Sequence, residues 1–450
     1  MEYCLDMFLS KTSRLKRWLI NLSLFIGILA AGLFVLEVMF RYIDYKKPYG
    51  LIQLKDYFKS DPVSSYDIKE NCPKRKVHIE GNYFYEIWSN ELGCFDEPYQ
   101  NESHYILLVG DSFTHNFAPF ENKWGTLVDR YCGYRVLKCG VQGYGTRQEL
   151  LKAKSIISKV KIPPGLIIVG YHMNDLDGDY LFPEIAEENG FLVSKKRISN
   201  YKTGEIEVRS QDLLKSRTER YQKRIVCSKY DQCSSCSSFF QKLKCLITDG
   251  LVISGKIEHM TSQIKQKIKH FTGTVIKDSA ERQKIEDQEP PYEITSVSFY
   301  PLDKFSWIKP VWENHLNNLR EFKTLAKNIN AKLLVVIIPA KEQVYPFISK
   351  DKGIDLEQPN GFLHAFFKKE HIEYIDPLND FRKYANQERK NWLNPENDLY
   401  MRLDPHLSKN GEQLAGLLVS KYILESNLVN IEKKDDKLRV INEKISSFKQ

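Results

Sequence analysis

The chain lacks a second Cys-x-x-Cys to accompany Cys233-Ser-Ser-Cys236, and no histidine lies between residues 227 and 245. That argues against a zinc module of paired cysteines or of cysteine with histidine. It leaves local disulfides among Cys227, Cys233, Cys236 and Cys245 as the expected state, with a zinc site as the alternative. No internal repeat is present. The chain also lacks an even spread of basic charge. The net charge is +8, yet residues 195–287 hold 20 Lys/Arg against 11 Asp/Glu, so the remainder is close to neutral. Basic and aromatic residues do not interleave in any recognisable module, which excludes a uniformly basic nucleic-acid binder. Charge is missing altogether from Leu19 to Leu36, and the apolar run continues to Phe40 apart from Glu37.

About 20 apolar residues cross the hydrocarbon core as a helix. A cleavable signal peptide has an apolar run of roughly 7–15 residues, so this run is expected to be an uncleaved anchor, although Ala30-Ala31-Gly32 also fits a cleavage site. Lys11, Arg14, Lys16 and Arg17 precede it; Arg41, Lys46, Lys47 and Lys55 follow it. The counts tie, and the short basic N-terminal tail favours a cytoplasmic N-terminus with the rest of the chain outside the membrane. Eight of the nine cysteines follow the anchor, an even number that suits an oxidising compartment.

What is present in quantity is apolar residue, at 42%, enough for a substantial core in a 450-residue chain. From Tyr105 a strand–helix rhythm begins. "YILLVG" (105–110), "YRVLKCG" (134–140) and "GLIIVGYHMND" (165–175) read as strands, and "TRQELLKAKSIISKV" (146–160) reads as a helix with Thr146 as N-cap and Glu149 completing a capping box. The rhythm breaks between 180 and 300. It resumes with a helix over 312–330, strands at 331–340 and 371–377, and a closing helix at 409–424. This alternation predicts a mostly parallel sheet covered by helices on both faces. The expected organisation is a short tail (1–17), a membrane helix (18–40), a linker and extension (41–100), the first half of an α/β domain (101–180), a basic, cysteine-containing insertion or lid (181–305), the second half (306–425) and a charged C-terminal peripheral helix or tail (426–450).

Four short segments fall just beyond the carboxyl ends of these strands, where open α/β sheets bind ligands. They are Gly110-Asp111-Ser112, "CGVQGYGT" with Gly143, "YHMND" with Asn174, and "LDPHLSKNG" with Asp404 and His406. Acyl transfer by serine needs a hydroxyl, an imidazole base, a group that orients the base, and donors for the oxyanion. Ser112, His406 and Asp404 supply the first three. The Ser112 and Gly143 amides and the Asn174 side chain can supply the donors. Each residue has an ordinary alternative: Ser112 can cap a helix, the glycines can form a turn, Asn174 can brace a loop, Asp404 can be an N-cap, and His406 can be a surface histidine. The conjunction of all of them in one order on successive strand ends favours the catalytic reading.

In these four blocks the chain resembles the SGNH or GDSL hydrolases, which carry Ser, Gly, Asn and His in that order. The resemblance covers about 200 residues and omits the insertion. It implies a flavodoxin-like three-layer α/β/α sandwich with a parallel sheet, a Ser112–His406–Asp404 triad, an oxyanion hole from Ser112, Gly143 and Asn174, and no required cofactor or metal. The expected activity is that of a membrane-anchored serine esterase or O-acyltransferase acting on an acylated carbohydrate or lipid. A membrane-tethered, non-catalytic carbohydrate-binding or assembly protein is the alternative. The chain departs from the family pattern at Phe113 in the nucleophile block, at His172, where many members have glycine, and at Leu407 after the histidine. His172 and Asp175, beside Asn174, are expected to touch substrate. Lys341, after the 331–340 strand, is expected on the same sheet end. There it and the basic insertion would attract an anionic substrate.

Overall fold

The computed structural model describes residues 18, 20–29, 31–32, 34–35, 54–78, 84–232, 296–346, 353–385, 398–401 and 404–448. The chain divides into two compact units, residues 1–47 with 223–282, and residues 48–222 with 283–450. In the first unit, the described part of the expected anchor is helical, and Ile20, Leu24, Phe25 and Ile28 are exposed. Among the described residues no helix is long and apolar enough to cross a membrane. The remainder of the 18–40 run, and Cys233, Cys236 and Cys245, lie outside the described residues, as does the side chain of Cys227.

The second unit is built on a five-stranded parallel sheet. Its strands are β5 (Ile106–Gly110), β6 (Val136–Lys138), β7 (Leu166–Tyr171), β12 (Lys332–Ile337) and β13 (Glu373–Ile375). They lie in the order β13-β12-β7-β5-β6, with β5 and β7 in register from Ile106 opposite Leu166 to Gly110 opposite Gly170. Counted along the chain this is 2-1-3-4-5, the flavodoxin-like doubly wound order. All five strands are therefore parallel, and their carboxyl ends share one side.

Successive strand residues face opposite ways, and the core divides accordingly. Leu107, Val109, Ile167, Val169, Val335 and Ile337 pack with Ile156, Trp312, Phe322 and Phe367. Ile106, Leu108, Leu166, Ile168, Leu334 and Val336 pack with Trp124, Val128, Leu414 and Ile423. The first layer comes from helices Thr146–Val160, Ile308–Asn328 and Gln358–Glu370; the second comes from Trp124–Cys132 and Lys409–Glu425. The two expected halves thus complete one sandwich.

One expectation, the Thr146 cap, needs correction, and two are made specific. Residues 54–78 and 84–100 are extension rather than linker. They form hairpins β1 (Phe58–Asp61)–β2 (Ser65–Ile68) and β3 (Arg75–His78)–β4 (Phe84–Ile87), with a core of their own around Tyr57, Tyr66, Tyr85 and Phe95. Their aromatic residues, rather than any periodicity, hold them on the body. The charged C-terminal segment contains a helix, Lys434–Ser446, which docks through buried Ile441 and a 2.6 Å bond from Lys437 Nζ to the Cys132 carbonyl. Thr146 is the first residue of its helix rather than the cap. Gly145 takes the cap position, and the Gln148 side chain accepts from its amide at 3.3 Å. Glu149 is instead fully buried with both carboxyl oxygens unpartnered, and burial pushes its pKa well up.

A disulfide joins Cys94 to Cys139. It ties the segment before β5 to the glycine loop after β6. That loop packs tightly on the short helix Ser112–His115. A Cβ on Gly140 would lie 2.6 Å from the His115 amide nitrogen and 2.9 Å from the Thr114 carbonyl carbon. Backbone cannot yield as a flexible side chain does. Gly140→Ala is therefore expected to cost about 1–3 kcal/mol of stability, measured as a lowered denaturation midpoint. An unchanged midpoint would mean that the loop moves freely away from the helix.

Candidate active site

β5 stops at Gly110, and the residue that caps the next helix is Asp111, whose Oδ1 accepts from the Phe113 amide at 2.8 Å. Ser112 is consequently relieved of capping. Its Oγ lies 2.7 Å from His406 Nε2 and 3.4 Å from Asp111 Oδ2.

His406 reaches this position from the turn before helix Lys409–Glu425. Ser408 caps that helix, accepting from the Asn410 and Gly411 amides at 3.2 and 3.3 Å. Asp404 is thereby left to serve the imidazole. Its Oδ1 is bonded to His406 Nδ1 and also accepts from the His406 amide at 3.0 Å. Burial pushes the Asp404 carboxyl up, but the His406 imidazole, its hydrogen bonds and the Lys341 ammonium more than offset this, leaving it below the ordinary value. Phe113 and Phe117 confine the His406 ring, with centroids 4.5 and 4.4 Å away. A serine hydroxyl that donates to an imidazole held from behind by a carboxylate is an arrangement able to deliver an alkoxide-like nucleophile.

Asn174 follows β7 and is linked to Ser112 through Asp111. Its Nδ2 donates to Asp111 Oδ2 at 3.1 Å, and its Oδ1 faces His172 Nδ1 at 2.5 Å. The amide nitrogen carries a second hydrogen that this bond does not use. Asn174 and Gly143 together line a cavity of about 410 Å³. Gly143 sits at φ +74°, and a Cβ there would meet Ile185 at 2.7 Å and the Tyr66 hydroxyl at 3.0 Å. Tyr66 also donates to the Gln142 carbonyl at 2.7 Å, so the 54–78 segment helps shape the glycine loop.

The remaining expected site residues serve from behind. His172 stacks on Phe113 at 3.6 Å and braces Asn174; burial pushes its pKa down to about 3, so the imidazole is neutral. Asp175 is fully buried, with its Oδ2 on the His172 amide at 3.2 Å, so its carboxylate braces the loop rather than lining its surface. Lys341 is buried and donates to the Asp404 carbonyl at 3.2 Å, fixing the acid's loop rather than standing out as a solvated charge. Among the described residues no group of three or more His, Cys, Asp or Glu side chains could hold a metal ion. Asp111 is the residue that sequence reasoning missed. Its signal was its place immediately before Ser112, where an aspartate is as good a cap as a serine.

Burial pushes the Asp111 carboxyl up to about 6, against the lowering effect of bonds from Phe113 and Asn174. A carboxyl that holds its proton more tightly when folded adds stability below its unfolded pKa of about 3.9 and loses it as pH rises through the folded value. Asp111→Asn, which can still cap, removes this titration. The stability of the variant relative to wild type is expected to improve between pH 4 and pH 7 in urea denaturation. A difference that is the same at both pH values would mean that the carboxyl is ionised throughout.

The sheet order defines a doubly wound α/β protein with the Ser112, Gly143, Asn174 and Asp404/His406 loops at one sheet end, the architecture that the SGNH/GDSL resemblance implies. No protein-family model matches the chain, and no curated protein matches it. Solved structures similar to it include a candidate acylhydrolase from Bacteroides fragilis and a GDSL-like lipase from Bacteroides thetaiotaomicron. Each is 12% identical, covers 74% of this chain and 92% of its own, and has a TM-score of 0.30. A candidate lipolytic protein of the G-D-S-L family from Desulfitobacterium hafniense is 11% identical over 71% of this chain and 99% of its own, at 0.28.

Proposed function

We propose that the protein is a serine esterase or O-acyltransferase that acts on an acyl or acetyl ester of a cell-envelope carbohydrate. The observation that carries this reading is the 2.7 Å approach of Ser112 Oγ to His406 Nε2, with Asp404 on the opposite ring nitrogen. Ser112 attacks the ester carbonyl while His406 takes its proton. The oxyanion is met by the Ser112 and Gly143 amides and the second hydrogen of Asn174 Nδ2. Collapse expels the alcohol, which takes its proton from His406, and leaves an acyl-enzyme. Water or a sugar hydroxyl, deprotonated by His406, then takes the acyl group as the bond to Ser112 Oγ breaks, and His406 returns the proton to Ser112.

A location outside the cytoplasm, tethered by residues 18–40, fits the uncharged run and the Cys94–Cys139 disulfide, since disulfides persist in oxidising compartments. The test is release of acetate from an O-acetylated oligosaccharide, followed by NMR with and without a non-acetylated oligosaccharide as acceptor. Esterase action gives free acetate, and transferase action gives acetylated acceptor. Neither product from folded protein, on any acetyl ester tried, removes the proposal.

A further inference from the structure

The cavity beside Gly143 and Asn174 has its opposite wall in the insertion. Hairpin β8 (Ile185–Glu188)–β9 (Phe191–Ser194) and hairpin β10 (Lys196–Asn200)–β11 (Glu205–Val208) contribute Ile185, Ser194, Lys196, Arg197 and Ile198, and Arg209 follows directly. Three cations therefore line a space that begins at two residues of the proposed oxyanion hole.

Their partners distinguish them. Arg197 is neutralised by Glu207 at 2.7 Å. Lys196 and Arg209 are held differently: the Glu184 and Glu207 carboxylates act on Arg209 only from beyond ion-pair distance. Lys196 Nζ donates to the Phe182 carbonyl at 2.8 Å, and Arg209 Nη1 donates to the Ser194 carbonyl at 3.0 Å. Neither forms an ion pair among the described residues. Each is thus held in place by a backbone carbonyl, which fixes the cation without cancelling its charge. Arg209 is only half-buried, and a guanidinium anchored by one nitrogen keeps further N–H groups for a planar oxyacid. Two carboxyls, Asp177 and Glu184, share the cavity. Burial pushes both up to about 7; for Glu184 the neighbouring Asp177 adds to this and the Arg209 guanidinium opposes it, so the wall is less negative than its composition suggests.

We infer that this cavity is a subsite for an anionic saccharide, binding a carboxylate or phosphate of the ester substrate through Arg209 and Lys196. The inference rests on the ester-cleaving reading above. It places specificity in the described part of the insertion rather than in Lys341, which is occupied with Asp404.

The experiment compares wild type, Arg209→Gln and Arg209→Lys on four substrates: p-nitrophenyl acetate, an O-acetylated neutral oligosaccharide, an O-acetylated oligouronate and an O-acetylated sugar phosphate. In wild type, one of the two anionic substrates is expected to show the highest kcat/KM, and which one tells carboxylate from phosphate. Arg209→Gln should raise KM for it about tenfold or more, leave p-nitrophenyl acetate within about twofold, and be partly rescued in Arg209→Lys. Added salt should reproduce part of the loss on the anionic substrate alone. Equal losses on all four substrates, or no loss on the anionic ones, overturn the subsite. Absence of wild-type activity on every ester would instead overturn the catalytic reading beneath it.

Discussion

Ser112→Ala is expected to lower kcat/KM on p-nitrophenyl acetate by roughly 10⁴-fold or more without lowering the denaturation midpoint. The hydroxyl lies 2.7 Å from an imidazole that is itself held by a carboxylate on the same turn. Removing it leaves whatever the oxyanion donors and binding supply by themselves. His406→Ala is expected to fall to a similar floor, because nucleophile and base act as one unit and their losses do not add. Asp404→Asn should cost less than either, since the His406 ring remains clamped by Phe113 and Phe117. A Ser112→Ala enzyme that retains a tenth of the wild-type rate would place the chemistry elsewhere.

Asn174→Ala is expected to lower kcat by about 10²–10³, equivalent to roughly 3–4 kcal/mol, with little change in KM. The reason is that an oxyanion donor is used when charge develops on the carbonyl oxygen, not when the ester binds. His172 and Asp111 hold the amide from both of its ends, so the donor is fixed before the substrate arrives. An effect confined to KM would assign Asn174 to substrate holding or to the loop. His172→Gly supplies a control: it leaves the amide present but unbraced, and should give a smaller fall in kcat.

The sheet was legible in the sequence because parallel strands buried on both faces read as unbroken apolar runs, as "YILLVG", "GLIIVGY" and "AKLLVVIIPA" do. Ser112, His406 and Asp404 were legible for a related reason: each follows a strand end or precedes a helix whose start is marked. What sequence could not settle was which neighbour does the capping. Asp111 and Ser112 are equally good caps, as are Asp404 and Ser408. The fold chooses Asp111 and Ser408, and that choice releases Ser112 and Asp404 for the imidazole. His172 and Asp175 looked like substrate contacts because they adjoin Asn174, yet helix Asp175–Tyr180 begins there and carries Asp175 inward. The hairpins within residues 54–78 were not legible because they pack through tyrosines, without strand-length periodicity. The Cys94–Cys139 pair was hidden by a separation of 45 residues, which marks no partner by itself.

The most direct test of the account is covalent labelling with a fluorophosphonate probe, followed by intact-mass and peptide analysis. The probe reports an activated serine whether the acceptor is water or sugar, and it needs no knowledge of the natural substrate. The account predicts one adduct per chain on wild type, located at Ser112, lost in Ser112→Ala and strongly slowed in His406→Ala. No adduct on folded wild type, or an adduct that persists in folded Ser112→Ala, would contradict it.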